Sequence, residues 1–246
     1  MRTANPALND KTFTGLARAT DANAMTIQGT VNKTALLLLL VLFTASWTWN
    51  QYFSAGDPSV VMPWIWGGLI GGFIVALVTV FKKQWAILTA PIYSLLEGLA
   101  LGGISAIFEA RFPGIVIQAV GLTFGTLFCL LMAYKSGMIK VTENFKLGVV
   151  AATGGIAIFY VVSLLLGMFG ISVPFIHGSG IIGIGFSLFV VGVAALNLVL
   201  DFDFIEHGAA RGVPQYMEWY AAFGLIVTLV WLYIEILRLL SKIRSR

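Results

Sequence analysis

The sequence predicts an all-α polytopic membrane protein, a bundle of seven transmembrane helices. Three observations predict it. Of 246 residues, 59% are hydrophobic and only 11% charged, where a soluble domain carries about 25% charged residues. Apolar runs of about 20 residues, each enough for a helix across roughly 30 Å of hydrocarbon, recur seven times. No alternating ten-residue pattern suggests a barrel, and irregular backbone cannot face lipid, so the runs should be helices.

The runs fall at 34–53, 60–81, 85–108, 115–134, 147–169, 180–200 and 217–240. Before them, residues 1–33 are polar and threonine-rich, without the basic start and short apolar core of a cleavable signal, so the first span is expected to act as the insertion signal. The membrane domain is expected over 34–242, with a basic tail at 243–246. Such a chain belongs in the inner membrane of a bacterium or the endoplasmic reticulum of a eukaryote.

Charge orients the runs. Lys11, Arg18 and Lys33 precede the first; Lys82 and Lys83 close the second; Lys135, Lys140 and Lys146 surround the link from fourth to fifth. The positive-inside rule puts these on the cytoplasmic side and the links around Asp57, Pro113 and His177 opposite. The net charge of +4 is explained by these clusters and gives no reason to expect nucleic acid. One end disobeys: Arg238, Lys242, Arg244 and Arg246 crowd a C-terminus that seven full crossings would place outside. Either the earlier helices override the rule or one run is re-entrant.

Small residues recur four apart, Gly67 with Gly71, Gly68 with Gly72, Gly98 with Gly102 and Gly121 with Gly125, a spacing that lets helix backbones approach closely. Cys129, the only cysteine, offers neither a disulfide nor a thiolate metal site within one chain and is expected as a small packing residue.

The acids within the runs carry the chemistry. An ionisable residue at a helix centre costs roughly 2.5 to 3.5 kcal/mol to insert and usually faces a protein interior or a wet cavity. Glu97 is the deepest, with Tyr93 one turn earlier on the same face and placed to hydrogen-bond it. The plain alternative is a protonated Glu97 gluing two helices together. Asn197 and Asp201 stack on one face near the end of the sixth run, while Asp203 points about 200° away; Asp201 is expected to face the bundle. Glu218 opens the seventh run at a depth where it could meet Asp201. Glu235 lies toward the other end, where Arg238 one turn on offers a local ion pair. Glu109 and Arg111 are expected at the interface flanking the third helix.

Carboxylates converging in a low-dielectric bundle disfavour a second negative charge, so proton binding can gate them. Deprotonated, the same oxygens suit a hard cation such as Ca²⁺. Asp201 and Glu97 are the expected transient calcium ligands, with Glu218, Glu235 and Asn197 along the ion path. Enzyme chemistry is not expected. His177 and His207 lie outside the apolar centres, HExxH and GxxxxGK[ST] are absent, and two aspartates on one helix do not make an intramembrane aspartyl hydrolase.

Seven runs, "YSLLEGLALGGIS" in the third, "LNLVLDFDFIEHG" closing the sixth and "WLYIEILRLL" in the last resemble the Bax inhibitor family, also called the transmembrane Bax inhibitor motif family. "AMTIQGTVNKTALLLLL" is similar to its bacterial branch. The resemblance spans residues 24–242. It implies a central last helix wrapped by six others in two layers and a pH-sensitive calcium leak; family members oppose cell death in eukaryotes. It also implies an aspartate pair between the sixth and seventh helices whose protonation gates the pore. Asp201 matches the first of these, but alignment on "LRLL" puts Thr228 at the second, and the second run holds no arginine counter-ion. Glu218, Glu235 or Glu97 is left to substitute, or this branch keeps the fold without pH gating.

The expected function is therefore a passive calcium or cation leak in a bacterial inner membrane, with the bilayer and calcium or protons as partners and no resident cofactor. The alternatives are a proton-coupled transporter of a small solute and a non-conducting scaffold that regulates partner proteins.

Overall fold

The computed structural model describes residues 23–169, 178 and 180–245; Lys11, Arg18, His177 and Arg246 lie outside the described residues. Seven long helices account for most of them: α1 (Ile27–Ala55), α2 (Met62–Phe81), α3 (Ala86–Arg111), α4 (Ile115–Lys135), α5 (Glu143–Met168), α6 (Ile181–Ala210) and α7 (Tyr216–Arg244). Each is long and apolar enough to cross a membrane.

Helix ends follow local chemistry. Thr26 caps α1 by accepting from the Gly29 N–H, and Gly56, at φ +67°, closes it with a bond to the Tyr52 carbonyl. That left-handed conformation suits glycine, which has no Cβ to clash. The first helix thus starts at Ile27, seven residues before its apolar run, because capping by Thr26 outweighs the polarity of residues 27–33. Likewise α6 continues ten residues past the apolar run at 180–200, so "DFDFIEHGAA" is helix. Thr142 caps α5 by accepting from Phe145 N–H.

The chain divides into two compact units. Among the described residues the first holds 23–113 and 204–227, hence α1, α2, α3, the end of α6 and the start of α7. Within it α3 runs alongside α1 and opposite to α2. Gly98 and Gly102 meet the α1 backbone at Val41 and Ala45, and Gly68 meets α3 at Leu96 and Ala100. The Thr44 hydroxyl crosses from α1 to the Leu95 carbonyl at 2.9 Å. Of the four glycine pairs, two therefore lie at helix crossings, while Gly67, Gly121 and Gly125 face open space. Tyr52, Val61, Ile65 and Ala106 form a core cluster at the far end.

The second unit holds the described residues of 114–203 and 228–245. Here α5 and α6 pack antiparallel: Lys146 meets Asp203, Asn197 meets Thr153, and Ile156 packs with Val190 and Val193. Phe159 lies 5.2 Å from Phe186, centroid to centroid, further along the same seam. Cys129, expected as a small packing residue, is exposed on α4. Across the whole chain α3 and α7 are the helices most enclosed by protein, with 56% of their most apolar stretch buried against 11% for α5.

Candidate functional site

In the first unit α3 places Tyr93, Ser94 and Glu97 on its buried face. Glu97 is 7% exposed, and its Oε2 lies where α2 passes with a glycine: a Cβ on Gly72 would sit 3.0 Å from it. The α2 sequence, Met62–Phe81, contains no charged residue to compensate it. Tyr93 turns its ring edge-on to Phe223 at 5.0 Å, and the hydrogen bond expected between Tyr93 and Glu97 is not found. Among the described residues no hydrogen bond or ion pair reaches Glu97, and the Ser94 hydroxyl one turn away is also buried without a hydrogen-bond partner.

The start of α7 is arranged in the opposite way. Glu218 is buried, and its Oε1 accepts from the Thr26 N–H at 2.8 Å and the Thr26 hydroxyl at 2.9 Å. Lys33 donates to Oε2. The carboxylate thereby faces the first turns of both α1 and α7, where unpaired N–H groups favour an anion. A Cβ on Gly29 would overlap this carboxyl, so glycine is required for the approach. Lys33 also lies 5.5 Å from the Trp219 ring and Lys83 lies 6.0 Å from that of Tyr220. Through these contacts Glu218 joins the start of α7 to the start of α1.

In the second unit both aspartates of "DFDF" are buried, Asp201 fully and Asp203 to 4% exposure. The expectation that only Asp201 would turn inward is corrected: Asp203 meets Lys146 at 3.1 Å, and Glu143 lies 3.4 Å from the same ammonium. Lys146 is 2% exposed. Asn197 donates to Thr153 Oγ1 at 2.9 Å and to the Val193 carbonyl at 2.8 Å, which ties α6 to α5. Thr228 is buried on α7.

The Glu235–Arg238 pair expected from spacing is present at 2.9 Å, and the Tyr160 hydroxyl joins it, donating to Glu235 Oε1 at 3.0 Å and accepting from Arg238 at 3.1 Å. Nearer the C-terminus Lys242 is buried and donates to Ser187 Oγ at 2.8 Å and the Gly183 carbonyl at 3.1 Å. Arg244 reaches Gln118 at 3.0 Å. Ser187 and Asp203 are sixteen residues apart on α6, about 24 Å, so Lys242 and Lys146 mark opposite ends of this unit.

Sequence reasoning missed Lys33, Lys146, Lys242, Tyr160 and Ser187 as interior partners. By sequence the lysines count as loop charge, and their inward signal is a position at the edge of an apolar run. Among the described residues no three His, Cys, Asp or Glu side chains are grouped as a metal site would need.

Membrane-length helices with ion pairs and an unpartnered acid in their interior define a polytopic helical membrane protein with a charged interior. A family model described as Bax inhibitor 1 like matches residues 5–245, nearly the whole chain. The chain belongs to that family. No curated protein and no solved structure matches it.

Proposed function

We propose that this protein is a passive leak for cations, calcium foremost, in the inner membrane of a bacterium, responsive to pH and without enzymatic activity. Glu97 carries the proposal. An acid kept only as glue between helices should hold a hydrogen bond to its neighbour, and Glu97 holds none among the described residues while facing Gly72. A carboxyl so placed is costly to insert and is accounted for by a ligand it meets only in passing, a proton or a cation. Asp201, on the sixth helix where the resemblance places a gating aspartate, is the second group assigned to the path. Glu235 and Asn197 act as its supports, through Arg238 and Thr153.

The test is calcium entry into liposomes holding a trapped calcium dye, at several pH values. Entry that is lost in Glu97→Gln and in Asp201→Asn, while both variants remain folded, supports the leak. Flux that requires an added solute replaces it with proton-coupled transport, and absence of flux under any gradient replaces it with a scaffold.

A further inference from the structure

The first unit contains a fastening that the leak does not use. Residues 23–26 lie along the link before α7. Ala24 pairs with Pro214 in an antiparallel bridge, Met25 N–H donates to the Val213 carbonyl at 2.7 Å, and Gln215 N–H donates to the Asn23 carbonyl at 2.9 Å. Glu218 completes the strap through Thr26 and Lys33. Beyond it along α7 come Tyr220 and Phe223, ring centroids 6.4 Å apart, and Phe223 stands edge-on to Tyr93, one turn from Glu97. Tyr220 and Phe223 are each 1% exposed.

We propose that the strap of residues 23–26 and the Lys33–Glu218 pair form a latch that holds the first turns of α7 over Tyr93, closing the way from the lysine-bearing end of this unit to Glu97. The proposal rests on Glu97 being a group that ions reach. Without the latch, the first turn of α7 loses its hydrogen bonds to Thr26 and its ion pair with Lys33. Phe223 can then leave Tyr93, and water enters from the end where Lys33 and Lys83 stand. Release of the latch thus opens the seam, and whatever binds or displaces the strap regulates the leak.

The test reads access and not flux. With Cys129→Ser removing the native thiol, Ser94→Cys puts a thiol beside Glu97, and its labelling by a water-soluble cationic methanethiosulfonate is timed in the full-length protein in liposomes. Glu218→Gln and Lys33→Met are each expected to speed labelling by about ten- to a hundredfold, the range lost with one charged hydrogen bond. Phe223→Ala, which leaves the latch intact, is expected to do the same.

Misfolding is separated from release by adding Ala24→Cys and Pro214→Cys to Glu218→Gln. Residues opposed in such a bridge stand about 4.5–5.5 Å apart at Cα, within disulfide reach. Oxidised, this protein should return to slow labelling, and reduction should restore the fast rate. Equal rates with and without Glu218 and Lys33, or fast labelling that the disulfide does not slow, overturn the latch. Calcium flux is not measured, so a failed leak and a failed latch give different results.

Discussion

Glu218 and Glu97 are buried glutamates of the same compact unit, and they have opposite surroundings. Glu218 is held by Lys33, the Thr26 hydroxyl and a backbone N–H, at the meeting of two helix N-termini. Glu97 faces a glycine on a helix without charge. The difference separates a fastened acid from an unfastened one: a carboxyl surrounded by donors adds to stability, and one buried without them costs the fold free energy. In the second unit Asp203, on Lys146, and Glu235, on Arg238 and Tyr160, follow the first pattern.

The sharpest way to break this comparison is at Glu218. Glu218→Ala should cost about 3–5 kcal/mol, since Lys33 is left beside the buried end of α7 without its counter-charge. Thermal unfolding in detergent reads this loss, and an unchanged midpoint would put Glu218 in the same class as Glu97. Next in size is Asp203→Asn, expected to lose about 3 kcal/mol because Lys146 keeps only the exposed Glu143. Adding Lys146→Met should recover most of it, as removal of both charges leaves nothing unpaired.

Gly72→Ala should cost about 1–3 kcal/mol by overpacking, since its methyl would press on Glu97 Oε2. In a double-mutant cycle with Glu97→Ala that cost should largely vanish; additive losses would mean the two residues do not touch. Glu97→Gln itself should change stability by less than about 1 kcal/mol, because no hydrogen bond is removed. A loss comparable with that at Glu218 would reveal a partner.

The smallest effect belongs to exposed Asp57, whose carboxyl is held below the usual carboxylate range by hydrogen bonds from the Ser59 hydroxyl and N–H. Its depressed folded value means this contribution is present above the unfolded pKa of about 3.9 and fades as pH falls through the folded one. Asp57→Asn should slightly flatten acid unfolding below about pH 4 and leave neutral stability almost unchanged.

Much of the fold was legible because bilayer thickness sets helix length, and seven apolar runs leave little freedom. The boundaries were less so. The first helix starts early because Thr26 caps it, and the sixth runs on through "DFDFIEHGAA" because Asp203 finds Lys146 inside the protein. Hydropathy scores Lys146, Lys33 and Lys242 as polar ends and cannot tell a lysine that points to water from one drawn in by an acceptor far along the chain. Glu235 with Arg238 was readable because the partners share a helix turn. The join of Glu218 to Lys33 was not, since 185 positions separate them.

The placement of Lys146 and Lys242 at opposite ends of α6 clamps that helix at both extremities. Lys146, on α5, meets Asp203 toward its end, while Lys242, on α7, holds Ser187 and the Gly183 carbonyl near its start. The two clamps come from different neighbours, so α6 cannot slide along its axis without breaking one of them, and its register within the second unit is pinned.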